Sequence, residues 1–379
     1  MLNICADDKN WTENIWQKIV IKMEHSSKRN AGKIPYTTDN GVFDNRFARQ
    51  PSWWTNGFWT GILWLMYEGT KEEHYLKMAQ ETEKMLDPVL YGLDDSFYGL
   101  HHDVGFMWLL SGIANYKMTG DPLSKRKGLI AANYLASRFN PRGNYIVAWN
   151  SVEKEGWSII DTMMNLPLLY WATEQTGYQR YKYIAMTHAD KTAQNAVRSD
   201  GSVAHIMVYD KETGDLLETL AGQGYAVGSS WSRGQSWALH GFALSYGHTK
   251  EQSYLDVAKK VAHYFISALG DDYVPKLDFR SPDQPDYRDT TAGAIAASGL
   301  LEIARYVPEA DKNMYIQAAV KILKALETGH CNWNPAVDSI LQNGSEAYHY
   351  DKRHISIIYG DYFFIEAILK LKGMEISFW

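Results

Sequence analysis

Residues 290–304 read TTAGAIAASGLLEIA and residues 311–326 read DKNMYIQAAVKILKAL, with the short connection YVPEADKN spanning 306–313. The first stretch is small or apolar nearly all round, and a helix of that kind must be buried. The second carries one apolar stripe and one charged face, as a helix covering a core does. Together they predict an inner helix and an outer one joined by a tight hairpin. The same hairpin signal recurs at EGTKEEHY (68–75), KMTGDPLS (117–124), EQTGYQRY (174–181) and GHTKEQSY (247–254). In each, Gly, Pro or a charged cluster ends one helix and a polar residue begins the next.

Apolar recurrence at helical spacing predicts twelve helices, beginning near Trp11, Trp54, Glu72, His102, Pro122, Asp161, Gln179, Trp231, Glu251, Thr290, Asp311 and Gly360. The fold class is therefore all-α: a six-hairpin (α/α)6 barrel with inner and outer rings, in a single domain over 1–379. A little β-structure is expected in NYIVAW (144–149) and GSVAHIMVYD (201–210). A superhelical repeat would need even repeat lengths and a recurring consensus, and neither occurs.

Composition narrows the function. The 379 residues are 45% apolar, enough for a large core, and the net charge of -6 comes without any basic block, which argues against a nucleic-acid partner. Cys5 and Cys331 stand in no metal-ligand or redox spacing. Asp7, Asp8 and Lys9 occupy the place of a leader's apolar run, and no stretch reaches the length of a membrane span. A cytoplasmic, soluble protein, monomer or homodimer, is expected. The chain carries 14 Trp and 25 Tyr; most belong to the core, but flat amphipathic rings also suit stacking on sugars.

The long loops SFYGLHHD (96–103), NYIVAWNSVEKEGWSIID (144–161), LAGQGYAVGSSWSRG (220–234) and LDFRSPDQPDYRD (277–289) lead into inner helices. Inner helices that start at one end of a barrel bring Trp54, Asn56, residues 101–103, Asp161, Trp231, Arg233, Arg288, Asp289 and Asp361 together. Asp289 and Asp361 precede apolar runs and read as helix caps. Asp103 and Asp161 lead into nearly chargeless helices, VGFMWLLSGIA and TMMNLPLLYWA, so their carboxylates are expected to be partly buried. Burial and a second carboxylate raise the proton affinity of one member of such a pair.

Seven blocks then carry a resemblance: SWWTNGFWTGILWLMYE, HHDVGF, IIDTMMNLPLLYWA, AHIMVYDKETG, SSWSRGQSWALHGFAL, YRDTTAGAIAASGLLEI and YGDYFFIEAIL. In this order, over essentially the whole chain, they resemble glycoside hydrolase family 88, the unsaturated glucuronyl hydrolases. The resemblance implies the six-hairpin barrel, catalytic Asp103 and Asp161, and substrate contacts at Trp54, Trp149, His205, Gln223, Arg233 and Trp237, with no metal or organic cofactor. It implies removal of a 4,5-unsaturated uronic acid from lyase-cleaved oligosaccharides, with Asp161 as general acid/base and Asp103 tuning it. From the residues alone, Arg233 suits an internal ion pair as well as a substrate carboxylate, and Trp237 lies in a good core stripe.

The stretch EAYHYDKRHISIIYGDY (346–362) departs from relatives that take sulfated fragments, where a Ser, Ser and Lys cluster stands at the places of Glu346, His349 and Asp351. Unsulfated fragments or a different adjoining sugar are expected, with Lys352, Arg353 and His354 as an alternative anion site. The rivals are an unsaturated rhamnogalacturonyl hydrolase acting on pectin fragments, a non-catalytic carbohydrate-binding barrel and a sugar 2-epimerase. The epimerase needs paired histidines, and adjacent His101 and His102 are expected to point apart on a helix.

Overall fold

The structure, a computed structural model, describes residues 4–93, 95–375 and 378–379. The leader-region reading falls partly on residues 1–3, outside the described residues. Among the described residues, twelve long helical runs match the expected series: α1 (Ala6–Arg29), α2 (Asn56–Thr70), α3 (Glu73–Met85), α4 (Val104–Trp108 continuing through Leu109–Ile113 to Ala114–Thr119), α5 (Pro122–Ser137), α6 (Pro167–Thr176), α7 (Gln179–Asn195), α8 (Ser232–Thr249), α9 (Gln252–Ala268), α10 (Thr290–Tyr306), α11 (Glu309–His330) and α12 (Ile358–Leu371).

The even-numbered helices pack side by side in the order α2, α4, α6, α8, α10, α12 and back to α2, which closes an inner ring. Odd-numbered helices cover it from outside, α1 lying against α12 and α2. Burial follows the composition: every residue of α10 from Thr290 to Ala304 is buried, while α11 buries one stripe that includes Tyr315, Ile316, Ala319, Ile322 and Leu326. Four inner helices end on a left-handed residue, Lys71, Gly120, Gly177 or Lys250, which turns the chain at once into its outer partner. Asp121 then caps α5 by accepting from Leu123 N at 3.3 Å and Ser124 N at 3.0 Å.

Departures from the sequence reading have local causes. Helix α1 begins five residues before Trp11 because Asp7 and Asp8 serve its first turn, where a carboxylate meets unpaired N–H groups and the positive end of the dipole. Asp161 opens a 3-10 turn, Ile160–Met164, and α6 follows only at Pro167, a residue suited to a first helical turn. Within α4, Leu109–Ile113 is a π-helical turn that apolar periodicity does not reveal. The expected β-structure forms, as the pair Phe139–Asn140 with Tyr145–Ile146 and an antiparallel sheet of Trp157–Ile159, Ile206–Tyr209 and Leu216–Leu220. Ala148 N donates to Trp157 O at 2.9 Å and Ile160 N to His205 O at 3.0 Å, so this sheet anchors the segments that carry Trp149 and His205 beside the 3-10 turn of Asp161. One large apolar core runs from Ile4 to Trp379, with a small satellite of Ala148, Ile159 and Ile206 under Trp149.

Candidate active site

Asp103 is the residue before α4, and its carboxylate does not cap that helix. Its Oδ1 accepts from Asn165 Nδ2 at 3.1 Å and lies 3.0 Å from His102 Nε2; Oδ2 lies 3.6 Å from His101 Nδ1. Both histidines thus face the same carboxylate, their ring centres 5.0 Å apart. The expectation that they point apart fails because both precede the helix, where helical spacing does not apply.

His102 Nδ1 also faces Ala148 O at 2.7 Å, so a carbonyl stands at one ring nitrogen and the Asp103 carboxylate beside the other, both of which favour the protonated ring. Burial disfavours that charge, but the charge and proximity of Asp103 and the Ala148 carbonyl outweigh it, and the pKa of His102 is raised. Burial likewise works against the Asp103 anion, yet His102, His101 and Asn165 hold its carboxyl below the usual range. Burial pushes His101 down to about 4 against the pull of Asp103, leaving it uncharged near neutrality. The result is a buried Asp103–His102 ion pair.

Asp161, from the 3-10 turn, is as buried as Asp103 but differently surrounded. Its Oδ1 lies 3.4 Å from His205 Nε2 and has no hydrogen-bond partner among the described residues. Gln223 N donates to His205 Nδ1 at 3.0 Å, which leaves Nε2 to carry the proton that faces Asp161. This contact requires Gly222: at its φ of +57° a side chain is strained, and a Cβ would lie 2.1 Å from His205 Nδ1.

Asn165 ties the two carboxylate segments together. Its Nδ2 reaches Asp161 O at 3.2 Å as well as Asp103, and its Oδ1 accepts from Phe106 N at 2.9 Å. Gly105 makes room for it, since a Cβ there would stand 2.6 Å from Asn165 Oδ1. Asn165 was not singled out in the sequence, although its place four residues after Asp161 in IIDTMMN is the spacing that puts two residues on one helical face.

The remaining predicted residues divide into those at the site's surface and those beneath it. Trp54, half-buried, stacks on Tyr359 at 5.3 Å and touches Phe106 at 5.4 Å. Trp149, also half-buried, meets the edge of His102 at 6.0 Å and Trp157 at 5.8 Å. Gln223 Nε2 donates to Glu346 O at 2.6 Å. Trp237, by contrast, is wholly buried among Phe106, Tyr359 and Phe363, within the core stripe.

Arg233 makes the internal ion pair. It bonds to Asp289, to Ser345 O at 2.5 Å and to Glu346 O at 2.6 Å, and lies over the Trp231 ring at 4.5 Å. Asp289 also caps α10 through Thr291 N at 3.1 Å, as expected. Asp361 is no cap: α12 starts three residues earlier, and its carboxylate accepts from Ile340 N at 3.0 Å and Leu341 N at 2.7 Å. The alternative anion site is largely occupied from within. Lys352 lies 3.3 Å from Glu346 Oε1, while Arg353 bonds to Tyr348 O and Tyr350 O and covers the Tyr287 ring.

Among the described residues, His101, His102 and Asp103 are the group whose donor atoms, all within 4.8 Å of one another, could hold a metal ion. That donor set is already committed: two of its members form the ion pair, Asp103 accepts from Asn165, and the second His102 nitrogen faces Ala148 O.

A ring of helix starts that presents two buried carboxylates, imidazoles and half-buried indoles belongs to a glycoside hydrolase of the (α/α)6-barrel class. The chain belongs to Glycosyl Hydrolase Family 88, whose model matches residues 26–326. It is 35% identical to the unsaturated glucuronyl hydrolase of Bacillus sp. (strain GL1), with 96% of this chain and 99% of that one covered. It is 36% identical to the unsaturated chondroitin disaccharide hydrolase of Streptococcus pneumoniae, over 87% of this chain and 84% of that one. The solved structure of an unsaturated glucuronyl hydrolase variant from Streptococcus agalactiae, complexed with dGlcA-GalNAc6S, superposes with a TM-score of 0.83 at 30% identity, covering 98% and 94% of the two chains.

Proposed function

We propose that the protein is an unsaturated glucuronyl hydrolase, releasing a 4-deoxy-4,5-unsaturated uronic acid from the non-reducing end of lyase-generated, glycosaminoglycan-type oligosaccharides. The observation that carries this reading is the unequal pair of carboxylates. Asp103 accepts from Asn165 and is held as an anion beside His102, whereas Asp161 offers an Oδ1 that lies 3.4 Å from His205 Nε2 and has no hydrogen-bond partner among the described residues. One carboxyl is thus fixed and the other is free to exchange a proton with substrate.

The bond attacked is a vinyl ether, not an acetal centre flanked by acid and nucleophile. Asp161 delivers its proton to C4 of the C4=C5 bond, and positive charge develops at C5 and the ring oxygen. The Asp161 carboxylate then takes a proton from water as its oxygen adds to C5. The resulting hemiketal opens at the C5–ring-oxygen bond to a C5 ketone, which leaves C1 as a hemiacetal; this collapses to an aldehyde as the C1–glycosidic-oxygen bond breaks, and its hydroxyl proton passes to the oxygen of the departing sugar. Asp103 and Asn165 hold the Asp161 segment in place, His205 orients the carboxyl, and Trp54 and Trp149 provide walls for sugar rings.

The core that continues from Ile4 to Trp379 supports one catalytic domain over 1–379. Cys5 and Cys331 are both free thiols, in keeping with a cytoplasmic setting, and no described helix is long and apolar enough to cross a membrane.

The test follows the ultraviolet absorbance of the conjugated uronate during incubation with unsaturated chondroitin and hyaluronan disaccharides. Wild type is expected to abolish it, and Asp161→Asn to slow its loss by about 10³-fold, within the range for removal of a general acid. Undiminished turnover by Asp161→Asn would overturn the assignment of the acid. Absorbance that persists with the wild type on both substrates would overturn the reaction.

A further inference from the structure

Helix α12 carries Tyr359, Phe363, Glu366 and Lys370 at alternating steps of four and three, the spacing of one helical face, and all four are buried. From the site downward, that face supports an aromatic column. Tyr359 stacks on Trp54 at 5.3 Å, and Trp237 lies between Tyr359 at 6.2 Å and Phe363 at 5.6 Å. Trp379 then lies flat on Phe363, 5.7 Å away with 6° between the planes. A second route is shorter: Trp379 meets Phe106 edge-on at 5.9 Å, and Phe106 touches Trp54 at 5.4 Å. Trp379 is thus the foot of a column whose head is the half-buried Trp54 indole.

The foot is pinned. Trp379 Nε1 donates to Glu366 Oε1 at 2.8 Å, and only 2% of the residue is exposed. Glu366 is itself held from three sides: Tyr362 OH donates to it at 2.9 Å, Ser298 Oγ donates from α10, and Lys370 Nζ lies at 3.5 Å. An indole with its face stacked and its N–H bonded has a single orientation in the core. The catalytic chemistry uses none of these groups.

We infer that Trp379 is a positioning residue for substrate: through Phe106 and the Phe363, Trp237 and Tyr359 rings it sets the height and tilt of Trp54, the wall on which a sugar ring packs. This rests on the function proposed above, in which Trp54 is that wall. A close-packed interior passes a gap on as shifts of rigid rings, and a wall that recedes by about 1 Å gives up a large part of its contact energy.

The experiment is a double-mutant cycle on the unsaturated chondroitin disaccharide, with kcat and KM measured well below the melting temperature of wild type, Trp54→Ala, Trp379→Gly and the double variant. Trp379→Gly is expected to raise KM by about fivefold to tenfold and to leave kcat within about twofold, as loss of an interaction shared by ground and transition states requires. In the Trp54→Ala background the same substitution should raise KM by less than about twofold, because the wall through which it acts is gone. Added indole should fill the apolar cavity of Trp379→Gly and bring KM back to within about twofold of wild type. Trp379→Leu keeps most of the space filled and decides the matter if the Gly variant does not fold; it should raise KM by about threefold, again only when Trp54 is present. A merely structural role predicts a lower melting temperature with KM unmoved, or KM effects that are equal with and without Trp54, and either result would overturn the inference alone. Absence of turnover by the wild type would overturn the proposed reaction, and an unchanged KM in Trp54→Ala would overturn the wall and this inference with it.

Discussion

Asn165 Nδ2 donates to Asp103 Oδ1 at 3.1 Å and, with the same amide group, reaches the Asp161 main chain at 3.2 Å, so one side chain sets the spacing of both carboxylate segments. Replacing it by Ala removes a hydrogen bond to a charged group, worth about 1.5–3 kcal/mol, which corresponds to roughly a 10- to 100-fold loss in kcat. KM should change little, because no sugar contact is lost. Asn165 also helps keep the Asp103 carboxyl below its usual range. Without it, the acid limb of the pH–rate profile should move to higher pH. A uniform loss of rate with an unmoved acid limb would show that Asn165 only supports the fold.

What the sequence discloses and what it hides divide along physical lines. The ring of inner helices was legible because TTAGAIAASGLLEIA can only be buried, and the hairpins because Gly120 and Gly177 mark left-handed caps. Asp103 and Asp161 were legible from the chargeless helices that follow them. His102 was not, because its role depends on Ala148 O, 46 positions away in the chain. Arg233 could not be decided between substrate and Asp289 for the same reason: the partner lies 56 residues on, and only the closed ring brings α8 and α10 together.

That ion pair makes its own prediction. The Arg233 and Asp289 side chains are 2% and 0% exposed, so removing the guanidinium leaves a buried carboxylate without its counter-charge, Ser345 O without the guanidinium donor and Glu346 O with Gln223 Nε2 in its place. Arg233→Met should cost about 3–5 kcal/mol in denaturant unfolding, the usual penalty for breaking one half of a buried pair. Arg233→Lys keeps the charge but not the fork and should cost less, about 1–3 kcal/mol. Both should raise KM through the freed 345–346 segment. A Met variant as stable as wild type, deficient only in substrate binding, would reassign Arg233 to the substrate carboxylate.

Asp361 predicts a pH dependence of stability. Burial raises its pKa to about 7, against the N–H groups of Leu341 and Ile340 and the charge of Lys22. The unfolded carboxyl titrates near 3.8, so between the two values the folded chain holds a proton that the unfolded chain has released. The Asp361 contribution to stability therefore falls as pH rises through this window, by about 1.4 kcal/mol per unit and about 4 kcal/mol in all, and levels off above it. From about pH 4.5 to 6 the buried Asp103–His102 pair adds no slope, whereas His101, His188 and His240, which burial holds below the ordinary histidine value, add a rise that wild type and variant share. The depressed Asp103 carboxyl loses its contribution only below the ordinary carboxylate range, and the raised His102 loses its contribution only above the ordinary histidine value. Over that interval the unfolding free energy of Asp361→Asn should rise with pH more steeply than that of wild type, by up to about 1.4 kcal/mol per unit, even though the substitution gives up one acceptor for Ile340 or Leu341. Parallel slopes for the two proteins would mean that Asp361 is ionised throughout, with its two backbone donors sufficient to hold the charge in the core.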